Sequence, residues 1–330
     1  MFHYNSLPRA EVARFETPYT ENLVEVCLDD LSVNPTGDPT WSPVHCVMPG
    51  RYREFADRIR NLTIFEDDVW IVTFPKAGTT WTQEMVWLID HDLDYEMTSK
   101  VILKERSIYL ELFTIFTNFE VRDTVTQAEQ MPRPRHIKSH LPLALLPKQL
   151  WTVRPKIIYT ARNPQDVATS LMHHYKYLQG FRGSQQDFFD GVLADRLDCC
   201  PMVRHVTEFW RVLEQHGDHV LFLHFEDMKR DLAAVIRKVC EFFGKVVSEE
   251  QVEKLKRHLS FESMKENDSI VNRQHVSEWV QKMGYGPSEF EFFRKGQIGG
   301  HKAELPQEFL IKLDSLIKEQ LSGTGFVFRE

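Results

Sequence analysis

Three short apolar runs of β type recur along the chain, and each is followed by a turn and a helical pattern. The runs cover residues 69–74, 156–160 and 219–225, and the patterns after them cover residues 80–89, 165–177 and 228–243. Further helices are predicted over residues 51–61, 248–258 and 306–321. Because strands that alternate with helices form parallel sheets covered on both faces, we expect a single α/β domain around a central, mostly parallel sheet.

The first 50 residues differ in composition from the rest of the chain. Four prolines and two glycines between Pro35 and Gly50 interrupt any periodic pattern, so we predict an irregular lead-in that packs on the domain. Residues 51–330 carry the periodic patterns, without an internal repeat or a long linker. The sequence therefore predicts one domain over residues 51–330, with residues 1–50 as its N-terminal extension.

The chain is acidic, with 40 Lys and Arg against 48 Asp and Glu in 330 residues, a net charge of −8. Nucleic acids and anionic membranes are bound through basic surfaces, so this charge counts against both as partners. An anionic ligand would have to be held by a local group of cations. The five cysteines are odd in number and have no C-x-x-C spacing, which disfavours disulfides and zinc and favours the cytoplasm.

Residues 73–81, Thr-Phe-Pro-Lys-Ala-Gly-Thr-Thr-Trp, connect the first predicted strand to its helix. This position places the N–H groups of Gly78, Thr79 and Thr80 at the start of the helix, where free donors and the helix dipole attract an anion. Lys76 adds a positive charge. A plain turn capped by threonine is the alternative, but Lys, Gly and two Thr together favour phosphate binding. Since the lysine precedes the glycine, the segment does not follow the Walker A pattern.

A second polar group follows the strand predicted at residues 156–160. Arg162 comes at its end, and Ser170 lies about two helical turns later. Ligands bind at the carboxyl ends of parallel strands, and an arginine there can hold a phosphate through two hydrogen bonds. Taken alone, a surface arginine and a helix serine would be the simpler interpretation.

Four segments resemble the motifs of the cytosolic sulfotransferases, in that family's order. They are the 5′-phosphosulfate loop at Thr73–Trp81, the catalytic Lys-Ser-His-Leu-Pro at Lys138–Pro142, the 3′-phosphate segment at Ala161–Ser170 and Arg-Lys-Gly at Arg294–Gly296. The chain is most similar to insect members. The resemblance implies a P-loop-like phosphosulfate loop and sulfonate transfer from 3′-phosphoadenylyl sulfate (PAPS) to a small apolar phenol, steroid or other alcohol, by in-line transfer with histidine as general base.

The resemblance also implies roles for individual residues. His140 would be the catalytic base, with Lys138 and Lys76 beside the reacting groups. No metal is implied. The residues implied for binding PAPS, and its product 3′,5′-diphosphoadenosine (PAP), are Lys76, Ala77, Gly78, Thr79, Thr80, Trp81, Arg162, Ser170, Phe225, Leu259, Phe261, Met264, Arg294, Lys295 and Gly296.

Within this set, the resemblance divides the cofactor among three groups of residues. Lys76–Trp81 would hold the 5′-phosphosulfate, with the tryptophan also near the adenine. Arg162, Ser170 and Arg294–Gly296 would bind the 3′-phosphate, and Phe261 would stack on the adenine.

Several positions depart from the family's pattern. Phe225 replaces a common tyrosine, Leu259 a common threonine and Ala77 a common serine, which we expect to reduce cofactor affinity while the charged contacts stay in place. Gly299–Lys302, Gly-Gly-His-Lys, replaces Gly-Asp-Trp-Lys. The family's dimer motif would cover Lys302–Ile311, but Thr-Val and the final acid are missing, so we expect a monomer or a dimer that does not use this motif.

Two stretches are candidates for the walls of an acceptor site, the apolar and aromatic residues of Val101–Phe119 and His173-His-Tyr175. Such stretches more often pack in a core. A nucleotide kinase and a cofactor-binding protein without catalysis are the alternatives to a sulfotransferase. The absence of a recognisable magnesium ligand counts against the kinase, and Lys76, Lys138 and His140 count against the second alternative.

Overall fold

The computed structural model describes residues 1–18, 20, 22–29, 32–115, 122–286 and 289–330. At its centre is a five-stranded parallel sheet with the order β5-β6-β4-β7-β8, and a second, antiparallel sheet has the order β1-β2-β3. The strands are β1 (Phe2–Ser6), β2 (Val24–Leu28), β3 (Cys46–Met48), β4 (Val69–Thr73), β5 (Ile108–Tyr109), β6 (His136–Ser139), β7 (Lys156–Ala161) and β8 (Val220–His224).

Helices connect the strands and cover the sheet. Among those in the described ranges, none combines the length and apolar character that crossing a membrane requires. Three 3₁₀ helices lie at Gly50–Glu54, Leu143–Leu145 and Gly300–Ala303 of the described chain. The α-helices are α1 (Arg9–Val12), α2 (Ala56–Arg60), α3 (Thr79–Asp90), α4 (Tyr95–Lys100), α5 (Leu103–Arg106), α6 (Leu112–Ile115), α7 (Thr124–Gln130), α8 (Leu150–Val153), α9 (Pro164–Tyr177), α10 (Gln185–Leu193), α11 (Met202–Arg211), α12 (Leu213–His216), α13 (Phe225–Arg230), α14 (Leu232–Phe243), α15 (Glu249–His258), α16 (Phe261–Glu266), α17 (Asp268–Val271), α18 (Arg273–Lys282) and α19 (Gln307–Leu321).

The two faces of the parallel sheet bury two separate apolar clusters, because successive side chains of a strand point to opposite sides. In β4, Trp70 and Val72 lie in one cluster, whereas Val69 and Ile71 lie in the other. Strands β7 and β8 alternate in the same way. Both faces are therefore covered, which confirms the predicted α/β domain with helices on both sides of a parallel sheet.

The parallel direction brings the carboxyl ends of four neighbouring strands to one edge of the sheet. In the order β6-β4-β7-β8, the residues just after these ends include His140, Lys76, Arg162 and Phe225. Four residues that are far apart in the sequence are thus placed along one edge. This is the edge at which open α/β sheets bind their ligands.

Three sequence predictions need correction. The lead-in over residues 1–50 is not irregular throughout, since β1, β2 and β3 pair in it as an antiparallel sheet. The helix predicted over residues 228–243 is divided into α13 and α14, because the side chain of Asp231 accepts a hydrogen bond from the N–H of Ala234 and caps α14. The helix predicted over residues 51–61 is a 3₁₀ helix followed by α2.

A buried ion pair fixes the start of β4 to the segment before β6. Arg135 donates from Nε to Asp68 Oδ1 over 2.8 Å, and its other nitrogens donate to the carbonyl oxygens of Ala128 and Thr63. The Arg135 and Asp68 side chains are only 1% and 0% exposed. Removing one partner of such a pair leaves a buried charge without compensation.

We therefore expect Asp68→Asn to lower the free energy of unfolding by about 3–5 kcal/mol, measured by urea denaturation. The neighbouring Asp67 is a matched control, because its ion pair with Arg133 is exposed, with side-chain exposures of 45% and 51%. Asp67→Asn should cost at most about 1 kcal/mol. Equal losses in the two variants would contradict a structural role for the buried pair.

Candidate active site

A cavity of about 1310 Å³ opens at the carboxyl edge of the sheet. Of the residues implied for cofactor binding or catalysis, all except Ala77 line it. Ala77 is 1% exposed and packs in the core, so only its backbone belongs to the loop. The lining residues of that set are Lys76, Gly78, Thr79, Thr80, Trp81, Lys138, His140, Arg162, Ser170, Phe225, Leu259, Phe261, Met264, Arg294, Lys295 and Gly296.

The loop after β4 has the backbone of an anion site. Gly78 adopts φ 105° immediately before α3, a conformation that favours glycine. A Cβ atom at this position would lie 2.8 Å from Phe225 Cδ2, so any larger residue would also push against that ring. Because the first N–H groups of a helix have no partner within it, those of Thr79 and Thr80 are available to an anion.

Four cations face one another across the cavity. Burial, together with the positive charges of Lys138, Arg162 and Arg294, lowers the pKa of Lys76 to about 8. Arg162 donates to the carbonyl of Lys76 over 3.1 Å, and its Nε atom is buried without a hydrogen-bond partner among the described residues. A cluster that repels itself and retains an unused donor is suited to an anion of multiple charge.

Glu304 partly compensates this positive charge. Its carboxylate accepts hydrogen bonds from Arg294 and, over 2.7 Å, from Lys295, and it lies 2.9 Å from His173 Nε2. Burial opposes ionisation, but these three partners hold the pKa of Glu304 at about 2. Glu304 therefore occupies donors that the sequence motif assigns to a phosphate.

His140 is fixed in one tautomer. Its Nδ1 lies 2.7 Å from the carbonyl oxygen of Thr73, and this geometry assigns the proton to Nδ1, since a carbonyl can only accept. Burial, together with the charge of Lys138, moves the pKa of His140 well below its usual value. The ring is therefore neutral at pH 7, and Nε2 carries a free electron pair.

Lys138 lies among the residues that surround His140. Glu111 accepts a hydrogen bond from the backbone N–H of His140. Lys138 Nζ lies 4.1 Å from the ring centre of Tyr109, and that ring packs edge-on against His140 at 5.1 Å. Burial lowers the pKa of Lys138 to about 8, so this lysine is largely charged at neutral pH.

Aromatic rings line the opposite side of the cavity. Phe225 packs edge-on against Trp81 at 5.6 Å, and the guanidinium of Arg162 lies 4.2 Å from the Phe225 ring centre. A Cβ atom on Gly296 would lie 2.3 Å from Phe261 Cδ2, so the ring and this glycine backbone are in direct contact. The phenylalanine at position 225 thus contributes packing where the family pattern has a tyrosine.

Asp166, in the first turn of α9, holds the altered late segment. Its carboxylate accepts from the N–H groups of Gly299 and His301 over 2.8 and 3.2 Å, and it lies 2.8 Å from His301 Nδ1. His301 is buried. The substitution of Gly-Gly-His-Lys for the family's Gly-Asp-Trp-Lys therefore leaves a segment that is anchored next to Ser170.

The family model described as sulfotransferase domain matches residues 66–325. The chain belongs to this family. It is 36% identical to luciferin sulfotransferase of Photinus pyralis over 84% of this chain and 77% of that protein, and 34% identical to sulfotransferase 1C2 of Rattus norvegicus over 82% and 88%. It also resembles the crystal structure of retinol dehydratase in complex with retinol and PAP, with 26% identity, 99% coverage of both chains and a TM-score of 0.84.

Family membership makes this chain a sulfotransferase and rules out the kinase alternative. Three matched structures, two of retinol dehydratase and one of a mouse sulfotransferase, are complexes with PAP, and the mouse structure covers 84% of this chain at a TM-score of 0.65. At 21% identity, the mouse protein supports the fold alone. Solved structural relatives of this sulfotransferase therefore bind an adenine nucleotide.

The two stretches that were predicted as acceptor walls line part of the cavity. Ile108, Tyr109, Leu112 and Ile115 line it, while residues 116–119 of the predicted stretch lie outside the described residues. In the second stretch, His174 lines the cavity, but Tyr175 is buried in the core and His173 contacts Glu304.

Other walls of the cavity were not predicted. Val276 and Trp279 of α18 line it, together with Phe292 and Phe293. The Phe292 ring centre lies 5.0 Å from Lys76 Nζ. Nothing in the sequence distinguishes these residues from ordinary core positions. They line the cavity because α18 and residues 292 and 293 pack beside it.

Proposed function

We propose that this sulfotransferase transfers the sulfonate group of PAPS to a hydroxyl of a small apolar alcohol or phenol, with His140 as general base. The observation that carries the proposal is the coexistence in one cavity of a self-repelling group of cations and a neutral, oriented imidazole. The first is suited to the charges of the donor, and the second to the proton of an alcohol.

The cation cluster fits a ligand with two phosphates. Lys76 and the start of α3 would bind the 5′-phosphosulfate, while Arg162, Ser170 and Arg294–Gly296 would bind the 3′-phosphate. The PAP complexes among the structural relatives support this assignment. In the proposed bound state, the 3′-phosphate would compete with Glu304 for Arg294 and Lys295.

The chemistry follows from the positions of three residues. PAPS supplies a sulfonate on a phosphate leaving group. His140 Nε2 takes the proton of the acceptor hydroxyl as its oxygen forms a bond to sulfur. The bond from sulfur to the phosphate oxygen breaks, and Lys76 neutralises the charge on that oxygen. Lys138 would stabilise the sulfonate oxygens in the transition state.

The acceptor is proposed to be apolar because Ile108, Leu112, Ile115 and Trp279 are among the residues that line the cavity. The names of the relatives agree with this class. They refer to luciferin for the firefly protein, and to retinol and androsterone for the dehydratase complexes. All of these are largely hydrophobic molecules that carry a hydroxyl, as an acceptor in an apolar pocket should.

PAP should bind at least about 10-fold more tightly than adenosine 5′-phosphate, because a buried charged hydrogen bond to the 3′-phosphate is lost in the latter. In Glu304→Gln, the affinity for PAP should rise while that for adenosine 5′-phosphate stays the same. Calorimetric titration of both nucleotides measures this.

Glu308→Gln is the control for the charge change, since Glu308 is exposed and contacts only Lys312 among the pairs of the described residues. Equal binding of the two nucleotides by the unmodified protein would contradict the roles of Arg162 and Ser170. Weaker PAP binding in Glu304→Gln would show instead that the carboxylate positions Arg294.

His140→Asn should lower kcat by about 10²–10⁴-fold with little change in PAP affinity. An asparagine amide can still donate to the carbonyl of Thr73, so the variant removes the base and retains the structural hydrogen bond. Turnover with labelled PAPS and titration with PAP are measured on the same preparation. Turnover like that of the unmodified protein would shift the role of base to Lys138 or His174, and a lowered melting temperature would indicate a structural histidine.

Dehydration of the acceptor is a second candidate, favoured by the 99% coverage of both chains in the likeness to retinol dehydratase. After transfer to an allylic alcohol, sulfate could leave with the electron pair of the carbon–oxygen bond while a conjugated carbon loses a proton, forming a double bond. Mass spectrometry of products from allylic alcohols distinguishes the two. We expect the sulfate ester from phenols, and a product of an allylic alcohol that has lost one water would support dehydration.

A further inference from the structure

Besides the cations and the proposed base, the wall of the cavity contains a buried polar pair. Gln179 and Asp198 both line it, and they are only 3% and 5% exposed. Gln179 Nε2 lies 3.5 Å from Asp198 Oδ2, and the N–H of Asp198 donates to the hydroxyl of Tyr175 over 3.0 Å. Each of the two residues has one further oxygen, Gln179 Oε1 and Asp198 Oδ1, that is buried without a hydrogen-bond partner among the described residues.

Two buried acceptors without partners are unfavourable for the free protein. Buried polar atoms are nearly always hydrogen-bonded, because an unsatisfied one retains the full cost of leaving water. Burial raises the pKa of Asp198 to about 7, which reflects the same cost. Since both free atoms are oxygens, a ligand that satisfies them has to bring hydrogen-bond donors.

The pair is close to the reaction centre. Gln179 and Asp198 line the same cavity as His140. Burial, followed by the charges of Glu111, Cys199 and Asp198, raises the pKa of Tyr109, and the Tyr109 ring lies 5.1 Å from that of His140. One small molecule can therefore present one hydroxyl to His140 and a second polar group to the pair. The established family activity requires only the first of these contacts.

We propose that Gln179 and Asp198 bind a second hydrogen-bond donor of the acceptor, a hydroxyl or an amine, and so select acceptors with two polar groups over those with one. This inference rests on the proposed function, whose acceptor class it narrows. It adds a specificity-determining contact to the cavity, separate from the contact with His140.

Naphthols are suitable probes, because 2-naphthol and the dihydroxynaphthalenes differ only in the number and position of hydroxyls. For at least one dihydroxy isomer, kcat/KM should exceed that of 2-naphthol by about 10-fold, the usual effect of a hydrogen bond to a buried group that otherwise lacks a partner. The corresponding aminonaphthol tests whether an amine is preferred to a hydroxyl. In Asp198→Asn, the ratio of kcat/KM for the dihydroxy isomer to kcat/KM for 2-naphthol should fall towards one.

The chain offers a matched control. Asp195 and Gln320 form a similar pair, with Gln320 Nε2 donating to Asp195 over 2.9 Å, but neither is among the residues that line the described cavity. Asp195→Asn should keep the unmodified protein's ratio. A melting curve with PAP present, recorded with and without the dihydroxy isomer, gives a binding measurement that is independent of turnover.

The outcomes separate the two proposals. Equal kcat/KM for all isomers, or an unchanged ratio in Asp198→Asn, overturns the inference while the proposed function stands. No transfer to any naphthol, with PAP bound normally, counts against the proposed function itself. If Asp198→Asn does not fold, Gln179→Leu replaces it, and loss of the ratio in that variant supports the pair, whereas an unchanged ratio contradicts it.

Discussion

Electrostatic repulsion within the cavity is the constraint that the surrounding structure has to accommodate. The parallel sheet brings Lys76, Arg162 and Lys138 to one edge, and the late segment adds Arg294. Burial, together with the repulsion from the other three cations, lowers the pKa of Lys76. Such an arrangement is unfavourable until an anion arrives, and the same repulsion then favours binding, because an anion relieves it.

Thr73 connects the anion site to the proposed base. As the last residue of β4, it stands at the centre of the carboxyl edge, with β6 on one side and β7 on the other. Its carbonyl fixes the proton of His140, and its hydroxyl lies 2.7 Å from that of Thr79 at the start of α3. A shift of the loop that moves Thr79 would therefore also change the position of the His140 imidazole. The anion site and the base are positioned by one residue rather than by two independent segments.

The sequence predicts the parts of the site that are local in the chain. The loop at Thr73–Trp81 and the turn at Arg162 lie between a strand and a helix, and both elements have clear periodicity. Strand β6 was not predicted, because a run of four residues, His-Ile-Lys-Ser, has no apolar pattern to distinguish it. It is defined by pairing with β4 and β5, which no local signal reveals.

The contacts that were missed join residues distant in the sequence. Glu304 contacts His173 across 131 positions, and an acidic residue near a helix start would ordinarily be taken for a solvated charge. Asp198 and Gln179 come together only because α9 ends beside the segment before α11. Neither contact could be predicted from residue type, because the partner of each side chain depends on which helix or segment packs against it.

Burial lowers the pKa of the proposed base and the pKa values of the lysines. At pH 7 the base is nevertheless neutral, whereas the lysines are charged. Burial moves the pKa of His140 well below its usual range, so the imidazole is neutral and can accept a proton. It lowers the pKa values of Lys76 and Lys138 only to about 8, so both stay largely charged at neutral pH and lose that charge as the pH rises through 8. The state with a neutral base and charged lysines therefore exists between these limits. A histidine in water has a pKa near 6.5, so the pH range in which it is neutral while the lysines are charged would be much narrower. A lysine with a pKa lowered further by deeper burial would be neutral throughout that range. The depth of the cavity thus sets the protonation states that the proposed mechanism requires.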